Sequence, residues 1–167
     1  APPTIYGAFK HCDEEISLVY YRDHGLVTIG LRPVILYGPG REVGQTAAIT
    51  MAMKSAAQGK PFRIPFRERT CFQHIDETTD IFRRCLIASP VEPVISDMGA
   101  EMQTTEDVAK AIRAVVPDAD IEIGSDSRPG PLNLDDSILT KLLGGRDRVS
   151  LEDGVRQTID HYRSFLM

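Results

Sequence analysis

The 167-residue sequence predicts an α/β fold in which helices alternate with strands paired in parallel. Three observations carry that expectation. A helical pattern from Gly7 to about His24 leads straight into the β-branched, nearly charge-free run Leu26-Val27-Thr28-Ile29-Gly30-Leu31, the order found in the second half of a βαβ unit. A glycine- and proline-rich loop, Tyr37-Gly38-Pro39-Gly40-Arg41, follows soon after Arg32-Pro33. Beyond it, short extended pieces and capped helices keep alternating.

The elements follow in chain order. Pro2-Pro3-Thr4 enforces an extended lead-in, because a residue before proline is pushed out of the α region. In the first helix Phe9, Cys12, Ile16, Val19 and Tyr20 recur at three- and four-residue steps as one apolar stripe, and Gly25 supplies the stop. The strand after it is expected to be buried on both faces. A helix rich in Ala and Met spans about Gln45 to Gln58, closed by Gly59-Lys60-Pro61. Extended pieces at Phe62-Arg63-Ile64 and from Thr70 to Ile75 precede a helix from about Asp76 to Ala88, capped by Asp76 or Glu77. Pro93 to Ser96 predicts a strand. Thr104 or Thr105 opens a helix through Val116, with Pro117 just beyond it. Ile121-Glu122-Ile123 alternates as a short strand and leads into a loop from Gly124 to Pro131. Helices near Asp135–Leu143 and Ser150–Phe165 close the chain, the last opened by the capping sequence Ser150-Leu151-Glu152-Asp153.

Composition narrows the function classes. The net charge of −5 gives no electrostatic footprint for nucleic acid or an anionic membrane. No apolar run approaches a membrane span and no signal peptide opens the sequence. Cys12, Cys71 and Cys85 lack metal spacing and are expected as free thiols in the cytoplasm. His74 with Asp76 at a strand–helix junction is expected to be structural, so no metal is assigned.

Tyr6 and Lys10 are four residues apart and share one helix face. An ammonium beside a phenol favours the phenolate, lowering a tyrosine pKa from about 10 towards working pH. A tyrosine tuned in this way can remove a hydroxyl proton while hydride leaves the adjacent carbon. Taken alone the pair is weak, since both residues are common on exposed helix faces. Its place at the start of a helix that feeds a strand ending in Arg32-Pro33 and Tyr37-Gly38-Pro39-Gly40 strengthens it.

With those segments the sequence resembles the extended short-chain dehydrogenase/reductase family, which includes nucleotide-sugar epimerases and dehydratases. Tyr6-Gly7-Ala8-Phe9-Lys10 resembles the catalytic helix, and Arg32-Pro33 with Tyr37-Gly38-Pro39-Gly40 resembles the strand end beside the nicotinamide. Phe72-Gln73-His74-Ile75-Asp76-Glu77 resembles the family's strand-to-helix turn, and Leu142-Leu143-Gly144 to Val155 its closing segment. The resemblance implies a cofactor, NAD or NADP, and a sugar-like or nucleotide-sugar substrate. It implies Tyr6 as general acid/base and Lys10 as the group that tunes it and binds the nicotinamide ribose. It also implies backbone contacts to the nicotinamide at Pro33 and Val34, and a substrate border at Tyr37, Gly38 and Arg69. A homodimer through the helix of Tyr6 and Lys10 is a further implication.

The departures define what the chain is expected to be. The Gly-x-x-Gly-x-x-Gly loop that receives the pyrophosphate at a helix start does not precede Tyr6. Only five residues precede Tyr6, so the assisting Ser or Thr of the family has no counterpart either. Arg69 sits one position away from the family's arginine, which flips its side on a strand. Residues 1–41 are therefore expected to be the end of a Rossmann-like domain. Residues 42–167 are expected to be mostly a small α/β substrate domain, with 70–97 returning to the Rossmann-like sheet. On this reading the chain is the carboxy-terminal part of the enzyme, functional only with an upstream cofactor-binding half. The alternative is a non-catalytic truncated relative that serves as an association module.

Overall fold

Caps and turns set the helix boundaries, and the computed structural model describes residues 2, 4–99, 101–127, 130 and 133–166. The first helix, α1 (Ile5–His24), begins where the Thr4 hydroxyl accepts the Gly7 N–H at 3.0 Å. It ends at Gly25, whose φ of 67° is the left-handed conformation that glycine adopts without cost. Two short strands follow, β1 (Ile29–Arg32) and β2 (Ile35–Tyr37), and then α2 (Ala48–Ala57). Next come β3 (Phe62–Arg67), β4 (Arg69–Thr70) and β5 (Phe72–His74), leading into α3 (Ile75–Cys85). The remainder is β6 (Val94–Asp97), β7 (Gln103–Thr104), α4 (Thr105–Val115), β8 (Ile121–Ser127), α5 (Ser137–Leu142) and α6 (Leu151–Ser164).

Parallel pairing, the heart of the predicted α/β class, is what the strands do. β1 pairs with β6, β2 with β5 and β3 with β8, all in parallel, while β4 and β7 form a small antiparallel pair. β3 tolerates Pro65 because the proline faces outward where the register with β8 shifts, between Ile64 and Phe66. α4 opens with a reciprocal capping box between Thr104 and Asp107, and α6 with Ser150 accepting the Asp153 N–H at 3.1 Å.

Several expectations are corrected. Tyr37, expected to open the glycine- and proline-rich loop, is the last residue of β2 and lies inside the fold. β8 runs on through Ser127, where a loop was expected from Gly124. Arg128, Pro129 and Pro131 of that loop, and part of the Pro2-Pro3-Thr4 lead-in, lie outside the described residues. α3 is capped by His74, whose side chain accepts the Asp76 N–H at 3.3 Å, and not by Asp76 or Glu77. β1 is only partly buried, and Leu26 before it is 54 % exposed. Among the described residues β1 pairs along one edge alone, which explains why it is not enclosed.

Apolar packing concentrates in one large cluster that joins α2, α4 and α6 to the β2–β5 and β3–β8 pairs. Ile49, Met53, Ile64, Phe66, Ile112 and Ile159 are among its fully enclosed members. A smaller cluster of Ile81, Met98 and Leu139, with Leu31, Cys85 and Leu143 against it, lies under α3, β6 and α5. α1 joins neither, and none of its residues is buried.

Candidate active site

Between α1 and β1 lies a cleft of about 830 Å³. One wall is the face of α1 bearing Tyr6, Lys10, Glu14 and Ser17, and the other is β1 with Arg32 and Pro33. Spacings of four and three residues put those α1 side chains on a single stripe. The Thr4 cap matters here, because it starts the helix just ahead of Tyr6 and so places Tyr6 in the first turn.

Tyr6 is 72 % exposed, with its phenol free to meet a ligand from the cleft. The Lys10 ammonium lies 5.9 Å from the centroid of the Tyr6 ring and 2.9 Å from Asp13 Oδ2. The hydrogen bond that Lys10 donates to Asp13, with the negative charge of that carboxylate, raises the Lys10 pKa and keeps the ammonium protonated. An ammonium has three donors, so the bond to Asp13 leaves others for a ligand. Deeper in the cleft Glu14 receives both arms of Arg32, at 2.6 Å and 2.7 Å. Those bonds hold the Glu14 carboxyl below its ordinary range.

The cleft therefore gathers Tyr6, Lys10 and Pro33, three of the residues the sequence singles out. Val34 is next to it but turns its side chain onto the main core. Tyr37 does not border any open surface. Strand alternation in β2 sends Ile35 and Tyr37 inward, and the Tyr37 ring stands edge-on to His74 at 5.3 Å. Burial, aided by the Glu77 carboxylate, pushes its phenol far above the ordinary value. The Tyr37 side chain packs inside the fold against His74. Gly38 is equally interior: its amide donates to Thr50 Oγ1 at 3.1 Å, and a Cβ there would come within 2.5 Å of Ile75 Cγ2. Its φ of 133° adds a second reason for glycine. Arg69 is exposed on β4 and does not line the cleft.

Sequence reasoning missed Glu14 as a site residue and gave Arg32 no role. A signal was available for Glu14, since it continues the Tyr6–Lys10 register by one more four-residue step. Nothing local marks Arg32 as its partner, 18 positions along.

No protein-family model matches the sequence. Solved structures do match. UDP-glucose 4-epimerase from Thermus thermophilus, in complex with NAD, aligns with a TM-score of 0.80 and 23% identity over 98% of this chain and 55% of that one. UDP-glucuronic acid 4-epimerase from Bacillus cereus, also with NAD, aligns with a TM-score of 0.75 and 21% identity over 100% and 55%. A partial-consensus L-threonine 3-dehydrogenase aligns with a TM-score of 0.85 and 20% identity over 98% and 58%. In each case the chain spans little more than half of the structure it matches. Over that part of their length, its fold is the one these epimerase and dehydrogenase structures have.

Proposed function

We propose that this chain is the catalytic and substrate-domain part of an NAD(P)-dependent oxidoreductase or epimerase. Its substrate is a secondary alcohol of a sugar or nucleotide-sugar, and it works together with a cofactor-binding segment outside these 167 residues. The observation that carries the reading is the cleft, with Tyr6 and Lys10 on one wall and Pro33 on the other. The residues present fit the nicotinamide end of the cofactor, because one wall offers an accessible phenol and an ammonium with donors to spare.

Bound nicotinamide would supply the chemistry of hydride acceptance. The chain's own residues do the proton work. Tyr6 Oη takes the proton of the substrate hydroxyl and returns one when a carbonyl is reduced again. Lys10 brings its positive charge to 5.9 Å from the Tyr6 ring and would donate to a ribose hydroxyl. The backbone at Pro33 and Val34 flanks the nicotinamide. Pro33 has no N–H, so that stretch offers a carbonyl without a competing donor at the same residue.

The test uses the protein that carries the cofactor-binding segment. Tyr6→Phe is expected to lower turnover by about a hundredfold or more, with cofactor affinity near wild type. Undiminished turnover would remove Tyr6 from the mechanism. Calorimetric titration of the 167-residue chain alone with NAD⁺ and NADP⁺ is expected to give no heat of binding; clear binding would overturn the assignment of the pyrophosphate loop to another segment.

A second reading, an association module without catalysis, draws on the exposure of Ile5, Phe9, Ile16, Val19 and Tyr20 along α1. These side chains fit a homodimer through that helix in either reading. A dimer in sedimentation with no turnover in the complete protein would favour the module.

A further inference from the structure

α1 holds the proposed catalytic pair but is barely attached. None of its residues is buried, and the cleft separates much of it from β1. Among the described residues two side-chain ties join it to the chain beyond the helix. One is a long hydrogen bond from Tyr21 Oη to the Val91 carbonyl, at 3.5 Å. The other is the double bond of Arg32 to Glu14, Nε to Oε1 at 2.6 Å and Nη2 to Oε2 at 2.7 Å. The second is the stronger by far. Two parallel charge-assisted bonds fix both separation and orientation, which a single ammonium–carboxylate contact does not.

Arg32 is itself held from behind. It is paired in register with Asp97 of β6, and its Nη1 lies 3.9 Å from Asp97 Oδ1. The other Asp97 oxygen accepts the Asp135 N–H at 3.0 Å. A line of charge therefore runs from α1 through β1 to β6, and a backbone amide ties it to the segment before α5. Arg32 also immediately precedes Pro33, so whatever sets its place sets that of the proposed nicotinamide contact.

We propose that Glu14 and Arg32 are positioning residues, a charged strut that holds α1 at a fixed distance from β1 and so aligns Tyr6 and Lys10 with the Pro33 backbone across the cleft. The positioning role rests on the function proposed above; the strut itself does not. Neither side chain touches the reacting atoms. Their effect is on distance, and a misplacement of about 1 Å costs on the order of a hundredfold in rate.

Amide hydrogen exchange on the 167-residue chain tests the strut. Glu14→Gln, which keeps the shape and removes the charge, is expected to lower protection in α1 by about tenfold while β3 and β8 stay as in wild type. Arg32→Lys keeps the charge and loses the fork, and is expected to fall between the two. Unchanged α1 protection in both variants would overturn the strut, and loss of protection in β3 and β8 as well would show a general folding defect instead. Turnover in the complete protein tests the positioning. Glu14→Gln is expected to lower kcat by about tenfold with the substrate KM within about twofold. A loosened α1 with unchanged kcat would overturn the positioning role. A wild-type protein with no turnover would sink the oxidoreductase reading and the positioning role with it, while the exchange result would still decide the strut.

Discussion

The two flanks of this molecule are built by opposite means. On one flank α2, α4 and α6 bury their apolar faces against the β2–β5 and β3–β8 pairs, and side chains such as Met53, Phe66 and Ile159 have no exposed surface. On the other, α1 carries an equally regular apolar stripe and buries none of it; Phe9 is 66 % exposed. The first flank is held by apolar burial, which is strong and non-directional. The second is held by a directional charge pair over an open cleft. The difference teaches that periodicity predicts an apolar face but does not say what covers it.

The sharpest way to break the comparison is a pair of identical truncations. Phe66→Ala removes a ring from the sealed core and is expected to cost about 4 kcal/mol in denaturant unfolding. Phe9→Ala on α1 is expected to change the stability of the 167-residue chain by less than about 0.5 kcal/mol. A Phe9→Ala loss comparable to that of Phe66→Ala would mean that α1 packs as tightly as the other flank.

A smaller effect is expected at the buried ion-pair network between α3 and the segments on either side of α5. Glu77 of α3 accepts from Arg146, from Gln73 and from the Val149 amide, and Arg146 also reaches Asp136, which Arg148 joins. The Arg146 side chain is 2 % exposed and that of Glu77 8 %. Removing one partner of a buried pair strands the other, so Arg146→Met is expected to cost about 3 kcal/mol. Glu77 keeps two other donors and Asp136 keeps Arg148, which places the loss below that of Phe66→Ala. A cost under about 1 kcal/mol would show that the network does not fasten the segment before α6.

Local rules made much of this fold legible. Thr104, Ser150 and Gly25 mark helix ends by chemistry that spans three or four residues, and the structure uses all of them. Long-range pairing was out of reach. β2 is three residues long between Pro33 and Gly38, and only its register with Phe72, Gln73 and His74 makes it a strand. The burial of Tyr37 followed from that pairing. The cap of α3 was misassigned for a related reason. Asp76 and Glu77 are the commoner choices from composition, but β5 delivers His74 in an extended conformation that lets its ring accept the Asp76 amide. In the cleft, Tyr6 and Lys10 were legible from one helical turn, whereas Arg32 found its partner only through the tertiary fold.

His74 gives the smallest expected effect and separates the flanks by pH. Its Nδ1 accepts the Asp76 N–H, so the proton belongs on Nε2, which faces Thr158 Oγ1 at 3.4 Å. Thr158 in turn donates to the Gly154 carbonyl at 2.7 Å. Protonating Nδ1 would break the cap. Burial lowers the His74 pKa below its ordinary 6.5, although Asp76 and Glu77 pull the other way. The unfolded chain thus binds this proton first as pH falls, and stability that is complete above about 6.5 declines below it. Glu14 behaves as a depressed carboxylate, so the contribution of the α1 strut persists until pH falls below its ordinary 4.5. Unfolding measured at about pH 7.5 and about pH 5.5 is therefore expected to show a loss in wild type that is smaller in His74→Asn, which keeps a capping acceptor without titrating. Equal losses in the two proteins would assign the acid sensitivity in that window to other groups and leave His74 as a cap alone.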